Sequence, residues 1–264
     1  MTRIIAIANQ KGGVGKTTSA VNVGACLAVA EKKTLLVDID PQGNATSGVG
    51  LDRGDSGPTL YDVLMEGVEV AAAVRGTRLP FLDVVPSHQD LYGAEIELVD
   101  VANREYRLRE ALAPVAGRYE VILIDCPPSL GLLTVNTLVA ATSVLVPIQS
   151  EYYALEGLSQ LLNTIRQVQR NLNPRLEIEG LVLTMTDTRL NLSRQVAAEA
   201  REYFGEKVYR TTIPRNVRLS EAPGFGKPIL LYDAMSAGAE AYMNLTKEMM
   251  RAWRRQEEPD SVKV

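Results

Sequence analysis

Residues 9 to 18 read Asn-Gln-Lys-Gly-Gly-Val-Gly-Lys-Thr-Thr, set between an apolar run, Arg3 to Ala8, and a helical pattern that begins near Lys16. A glycine-rich turn leading from a strand into a helix builds a phosphate cradle. The backbone N–H groups of Gly12, Gly13, Val14 and Gly15 can converge on a β-phosphate, because glycine tolerates positive φ and the helix start adds its positive dipole end. In this pattern Lys16 supplies a mobile charge over the β- and γ-phosphates and Thr17 a hydroxyl for Mg²⁺. The common spacing, G-x-x-x-x-G-K-[ST], wants glycine at position 10; this chain has Gln10 and carries a second lysine, Lys11, inside the loop. A bare pair of glycines with lysines reads as a solvated surface loop, whereas the full octet in strand–loop–helix context is specific. Lys11 taken alone reads as a solvated loop lysine.

Carboxylates follow two further apolar runs. Asp38 and Asp40 close the run Leu35–Asp38, on one face because strand side chains alternate. Asp125 closes Val121–Asp125, which has the form of a Walker B strand. A carboxylate after a strand is often a turn former or helix cap, but three of them at the edge that holds the cradle point to Mg²⁺ and water chemistry. His88 is the only histidine and has no cysteine or histidine neighbour, so a helix-start or surface role is expected. Cys26 and Cys126 are far apart and form no C-x-x-C pair, which reads as buried thiols.

These residues need a frame. Apolar runs rich in Val, Ile and Leu recur at Ile4–Ala8, Leu35–Asp38, Leu82–Val85, Val121–Asp125, Val144–Ile148 and Leu181–Met185, with helical patterns at Lys16–Glu31, Leu132–Ala141, Leu155–Asn171 and Leu192–Phe204. Continuous apolarity marks strands buried on both faces, and the strand–helix alternation predicts an α/β fold with a doubly wound, mostly parallel sheet flanked by helices. Ligands of such sheets lie beyond the C-terminal strand ends. Residues 43 to 58, rich in Gly, Asp and Ser, are expected to form a mobile loop, with a short helix starting at Leu60 after Pro58-Thr59. From Gly238 to about Arg254, Tyr242, Leu245, Met249 and Trp253 recur at helical spacing and predict a docked helix.

The chain has 264 residues, 46% hydrophobic and 23% charged, the range of an ordinary globular domain. No apolar stretch reaches the roughly 18 to 20 residues of a membrane span, and a basic n-region with a long apolar core is missing from the start, so a cytosolic location is expected. Net charge is −4, which argues against nucleic-acid binding driven by overall charge. The window Arg189–Lys227 nevertheless holds eight basic and four acidic residues, a local +4 against −8 elsewhere. Either a basic face or a scatter of salt-bridged arginines would give that count.

Asn9–Thr18, Val37–Gly48, Ile124–Leu133, Glu151–Leu162 and Ile213–Asp233 together resemble the ParA family of chromosome- and plasmid-partitioning ATPases, in its short Soj-like branch, from about Arg3 to Met250. The strings Asp38-Ile39-Asp40-Pro41-Gln42-Gly43-Asn44 and Ile213-Pro214-Arg215-Asn216-Val217-Arg218-Leu219-Ser220-Glu221-Ala222-Pro223 are far more specific than a phosphate loop alone. Gly224 and Phe225 stand where the family usually has Ser and a variable residue, a departure that touches loop geometry near the nucleotide or DNA face.

The resemblance implies a single P-loop ATPase domain over 1–256, a flexible polar tail over 257–264, and ATP and Mg²⁺ as cofactors. Gly12, Gly13, Val14, Gly15, Lys16, Thr17 and Thr18 would hold the triphosphate, Thr17 would bind Mg²⁺ with Asp125 joining through water, and Asp40 would orient or activate the attacking water. Lys11 matches the deviant Walker A lysine that completes the site of the partner in a homodimer. Pro214 and Asn216 match positions flanking the adenine. Arg189 and Arg218 match arginines used for sequence-independent binding of double-stranded DNA by the ATP-bound dimer, with Arg215, Lys227 and Lys247 as weaker additions. A centromere-binding ParB protein, stimulating slow hydrolysis through a basic N-terminal peptide, is the implied partner, and the implied location is cytoplasmic and nucleoid-associated.

Three other readings share features with this one. MinD-type ATPases use the same loop on membranes and need a C-terminal amphipathic helix at the bilayer surface; here Arg251, Arg254 and Arg255 surround Trp253, but Glu257-Glu258-Pro259 follows, and no stable membrane association is expected. The nitrogenase iron protein and its relatives need cysteines bridging a cluster at a dimer axis, which neither Cys26 nor Cys126 suits. A non-catalytic scaffold would bind ATP without releasing phosphate.

Overall fold

Strands that read as unbroken Val, Ile and Leu cannot leave one face in water, and here they form a sheet covered on both sides. A computed structural model describes residues 2–52, 56–150, 154–187 and 189–257. Among these, the strands are β1 (Arg3–Ile7), β2 (Thr34–Asp38), β3 (Arg75–Gly76), β4 (Leu82–Val85), β5 (Val121–Asp125), β6 (Ser143–Gln149) and β7 (Glu177–Thr184). Their order is β3-β4-β2-β5-β1-β6-β7, and every pairing is parallel except β3 with β4. The helices are α1 (Lys16–Val29), α2 (Asn44–Gly48), α3 (Val70–Ala73), α4 (Leu91–Glu97), α5 (Arg107–Ala116), α6 (Leu132–Ala140), α7 (Ala154–Asn171), α8 (Asn191–Phe204), α9 (Val217–Glu221), α10 (Ile229–Tyr232) and α11 (Ala237–Glu257). The doubly wound parallel sheet expected from the sequence is thus the observed one. β7 begins at Glu177 rather than Leu181, and the two-residue edge strand β3 is too short to leave an apolar run.

Side-chain alternation sorts the core into two layers. Ile5, Ile7, Leu36, Leu123, Leu145 and Val182 face α1 and α11. On the other face Leu35, Val37, Ile122 and Ile124 pack under α4, α5 and α6, while Val144, Val146 and Ile148 pack under α7 and α8. The stripe on α11 is core, as its spacing predicts: Tyr242, Leu245, Met249 and Trp253 are buried, Tyr242 Oη lies 3.2 Å from Ser19 Oγ, and Trp253 Nε1 donates to Glu179 Oε1 at 2.5 Å. Cys26 and Cys126 are buried free thiols on opposite sides of the sheet, both pushed up to about 12 by burial. His88 is half-buried just before α4 and pairs with Asp90.

The stretch 43 to 58 is not loop from its start, contrary to what its composition suggests. Asn44–Gly48 is helical, with Ala45, Thr46 and Gly48 buried, and the small residues serve close packing. Gly50 has φ of +93°, and a Cβ there would sit 2.9 Å from the Gly226 carbonyl oxygen, so this glycine lets two loops touch. Helical structure does begin at Leu60, as expected. Residues 53–55, Glu151–Tyr153 of the family-like string, and 258–264 of the expected tail lie outside the described residues; Glu257 ends α11.

Candidate active site

The turn between β1 and α1 is tied to two neighbouring strands. Asn9 Nδ2 donates to the Pro147 carbonyl at 2.7 Å and Asn9 Oδ1 accepts from Lys11 N at 3.0 Å, tying the start of the loop to β6. Thr184, the last residue of β7, donates its hydroxyl to the Val14 carbonyl at 2.8 Å. Gly13 and Gly15 take φ of +72° and +88°, left-handed values that cost a side-chain-bearing residue energy, and Gly15 starts α1 from that conformation. Lys16 is buried with Nζ donating to the Lys11 carbonyl at 3.1 Å. Burial pushes its ammonium pKa down, while Asp125, Cys126 and Asp40 pull it back up. Gly12 and Gly13 are exposed at the mouth, and Lys11, Thr17 and Thr18 are half-buried.

The carboxylates meet at the same edge. Asp38 and Asp125 are register partners at the ends of β2 and β5, and both are fully buried, as Asp40 nearly is. Asp38 is raised to about 6 by burial, opposed by hydrogen bonds from Thr46. Asp125 lies well above the usual carboxylate range, first because of burial and then because of Asp38; Thr17 and Lys16 push the other way. Yet neither oxygen of Asp125 completes a hydrogen bond of good geometry. Among the described residues no group of three or more His, Cys, Asp or Glu could hold a metal ion unaided. A small hard cation that keeps several waters and takes phosphate oxygens needs only one or two protein oxygens, and Thr17 with the carboxylate of Asp125 could supply that set.

Most of the other residues singled out in the sequence divide between the end of β7, where Pro214 lies, and the segment from α9 to Lys227, which packs against α2. Pro214 bridges to Thr186, and with Asp187, Arg189, Arg215 and Asn244 it lines a cleft of about 650 Å³ that the phosphate-loop residues do not line. Asn216 caps α9, its side chain accepting from Leu219 N at 3.3 Å. Arg189 makes a two-pronged contact with Asp187 at 2.9 and 2.6 Å, which holds that carboxyl down at about 2. Arg218 pairs with Glu221 at 3.0 Å and with Asp233 at 3.4 Å. Lys247 lines an adjoining cleft that shares Thr211 and Asn244 with the first, and Lys227 is half-buried after α9. Asn9 and Thr184, which anchor the loop, and Thr46, which bonds Asp38, lie outside the site residues expected from the sequence. Thr184 had a usable signal, as the polar terminus of an apolar strand on the ligand-binding edge.

A parallel sheet with this loop, buried lysine and strand-end carboxylates defines a P-loop nucleotide-binding protein. A family model described as an AAA domain matches residues 2–178. The chain is 59% identical over 249 residues to the sporulation initiation inhibitor protein Soj of Bacillus subtilis, covering 94% of this chain and 98% of that one. It is 57% identical over 249 residues to the chromosome partitioning protein ParA of Myxococcus xanthus, covering 94% and 88%. A structure of cobyrinic acid a,c-diamide synthase from Mycobacterium smegmatis with bound ADP and magnesium superposes with a TM-score of 0.85 at 39% identity, over 97% of each chain. The chain belongs to the ParA/Soj family of chromosome-partitioning P-loop ATPases.

Proposed function

We propose that the protein is a slow ATPase switch that dimerises on ATP, binds double-stranded DNA without sequence preference as that dimer, and is released when a ParB-type partner stimulates hydrolysis. One observation carries the reading: a buried lysine inside an αL-glycine loop is electrostatically coupled to Asp125, whose buried oxygens complete no hydrogen bond, and to Asp40. Lys16 and the amides of Gly12 to Thr18 would hold the β- and γ-phosphates. Thr17, and Asp125 through water, would hold Mg²⁺, which supplies charge neutralisation at the phosphates. Asp40 accepts a hydrogen bond from the attacking water, whose oxygen bonds the γ-phosphorus as the bond to the β–γ bridging oxygen breaks, leaving ADP and phosphate. Lys11 from the second subunit adds positive charge to the phosphates, and Pro214 and Asn216 flank the adenine.

For DNA, the reading is supported by the adjoining clefts that gather Arg189, Arg215 and Lys247, with Arg218 and Lys227 on the neighbouring segment. Arg189 and Arg218 already engage carboxylates, but both guanidinium groups are themselves exposed, and surface pairs of this kind are weak enough to be exchanged for phosphates. A membrane-surface switch needs a free amphipathic helix face, and the apolar residues of α11 are occupied in the core. The test is equilibrium binding of ATP to Lys16→Ala. Affinity is expected to fall by at least about 100-fold, since a charge-assisted contact is lost from a buried site; unchanged affinity would refute the cradle.

A further inference from the structure

α2 carries one arm of a hydrogen-bond relay around Asp40. Asp38 Oδ2 accepts from Thr46 N and from Thr46 Oγ1, both at 2.7 Å. Thr46 Oγ1 accepts in turn from Ser87 N at 3.0 Å, and Ser87 Oγ donates to the Asp40 carbonyl at 2.5 Å. The ring closes through Asp40 N, which donates to Asp38 Oδ1 at 3.3 Å. Its members come from the end of β2, from α2 and from the segment after β4, and all four residues are buried. The phosphate loop is anchored separately, by Asn9 and Thr184.

We infer that Thr46 and Ser87 are positioning residues for hydrolysis: anchored on Asp38, they fix the backbone of Asp40 and so the direction in which its carboxylate meets water. The inference rests on the reading of Asp40 as the water-orienting group. Thr46 and Ser87 act on a reacting group through the chain that carries it, and misplacement by about 1 Å costs on the order of 100-fold in rate. Because the cradle has its own anchors, loosening the relay slows turnover and spares ATP binding.

The test is steady-state ATP hydrolysis with Mg²⁺ by the full chain carrying Thr46→Val, Thr46→Ser, Ser87→Ala or Asp40→Ala, with thermal melts of each. Thr46→Val keeps the volume and the N–H to Asp38 but removes the hydroxyl. It and Ser87→Ala are expected to lower kcat about tenfold with KM for ATP within about twofold, and Thr46→Ser to restore kcat, a split that a purely structural role would not give. Should Thr46→Val fail to melt cooperatively, Ser87→Ala decides. Wild-type kcat in the decisive variants, or an equal fall in Thr46→Val and Thr46→Ser, overturns the relay while loss in Asp40→Ala keeps the reading of Asp40. Wild-type turnover in Asp40→Ala overturns both.

Discussion

Asp125 is where burial and charge conflict most sharply. Its raised pKa means that the folded chain holds a proton the unfolded chain has released, so stability falls as pH rises from the ordinary carboxylate range through the folded-state value. Asp38, raised from 3.8 to about 6, adds to the same trend between those values. Asp125→Asn removes the charge at similar volume. We expect it to melt several degrees above wild type at pH 7.5, a gain on the order of 1–3 kcal/mol, with the difference shrinking toward pH 5. A pH-independent difference, or a destabilised variant, would contradict the assignment of strain to this carboxylate. Asp40→Ala separates the steps: ATP affinity is expected within about threefold of wild type while phosphate release falls about 100-fold or more, as for the loss of a group acting on water. Stopped-flow nucleotide binding beside a phosphate-release assay checks both.

α11 shows that its apolar spacing serves the core, and its stability contribution can be separated from the site. Trp253 is buried at the far end of the helix, its indole bonded to Glu179 and its ring 5.2 Å from the Arg3 guanidinium carbon. Trp253→Ala is expected to cost about 3–4 kcal/mol in urea unfolding with ATP affinity unchanged. The strands and crossover helices were legible because burial on both faces forces unbroken apolar runs. α2 was not, because its sequence, Asn-Ala-Thr-Ser-Gly, has the composition of a turn and is held helical by Asp38 and by close loop contacts that only tertiary structure supplies. The phosphate loop was readable residue by residue because its chemistry dictates its types. Thr46 and Ser87 act through backbone groups distant in sequence, and such bonds leave no spacing to read.

For the whole molecule, the acidic net charge and the local basic window have opposite consequences, and the proposed dimer would tip the balance between them. One chain at −4 should bind duplex poorly, whereas the proposed two-fold dimer would bring two copies of the Arg189–Lys227 surface onto one face. Each neutralised phosphate contributes about −0.9 to the slope of log K against log salt. Arg189→Glu or Arg218→Glu is therefore expected to abolish duplex binding in a filter assay while ATP-dependent dimerisation and basal ATPase persist. The central claim, that nucleotide state controls assembly on DNA, is tested most directly by sedimentation of wild-type protein with duplexes of unrelated sequence, in ATP or ADP, across a salt series. In ATP a dimer that co-sediments with every duplex, its binding weakening steeply with salt, is expected, and in ADP a monomer that stays free of DNA. Equal co-sedimentation in ADP, or an ATP dimer indifferent to DNA, would contradict that claim.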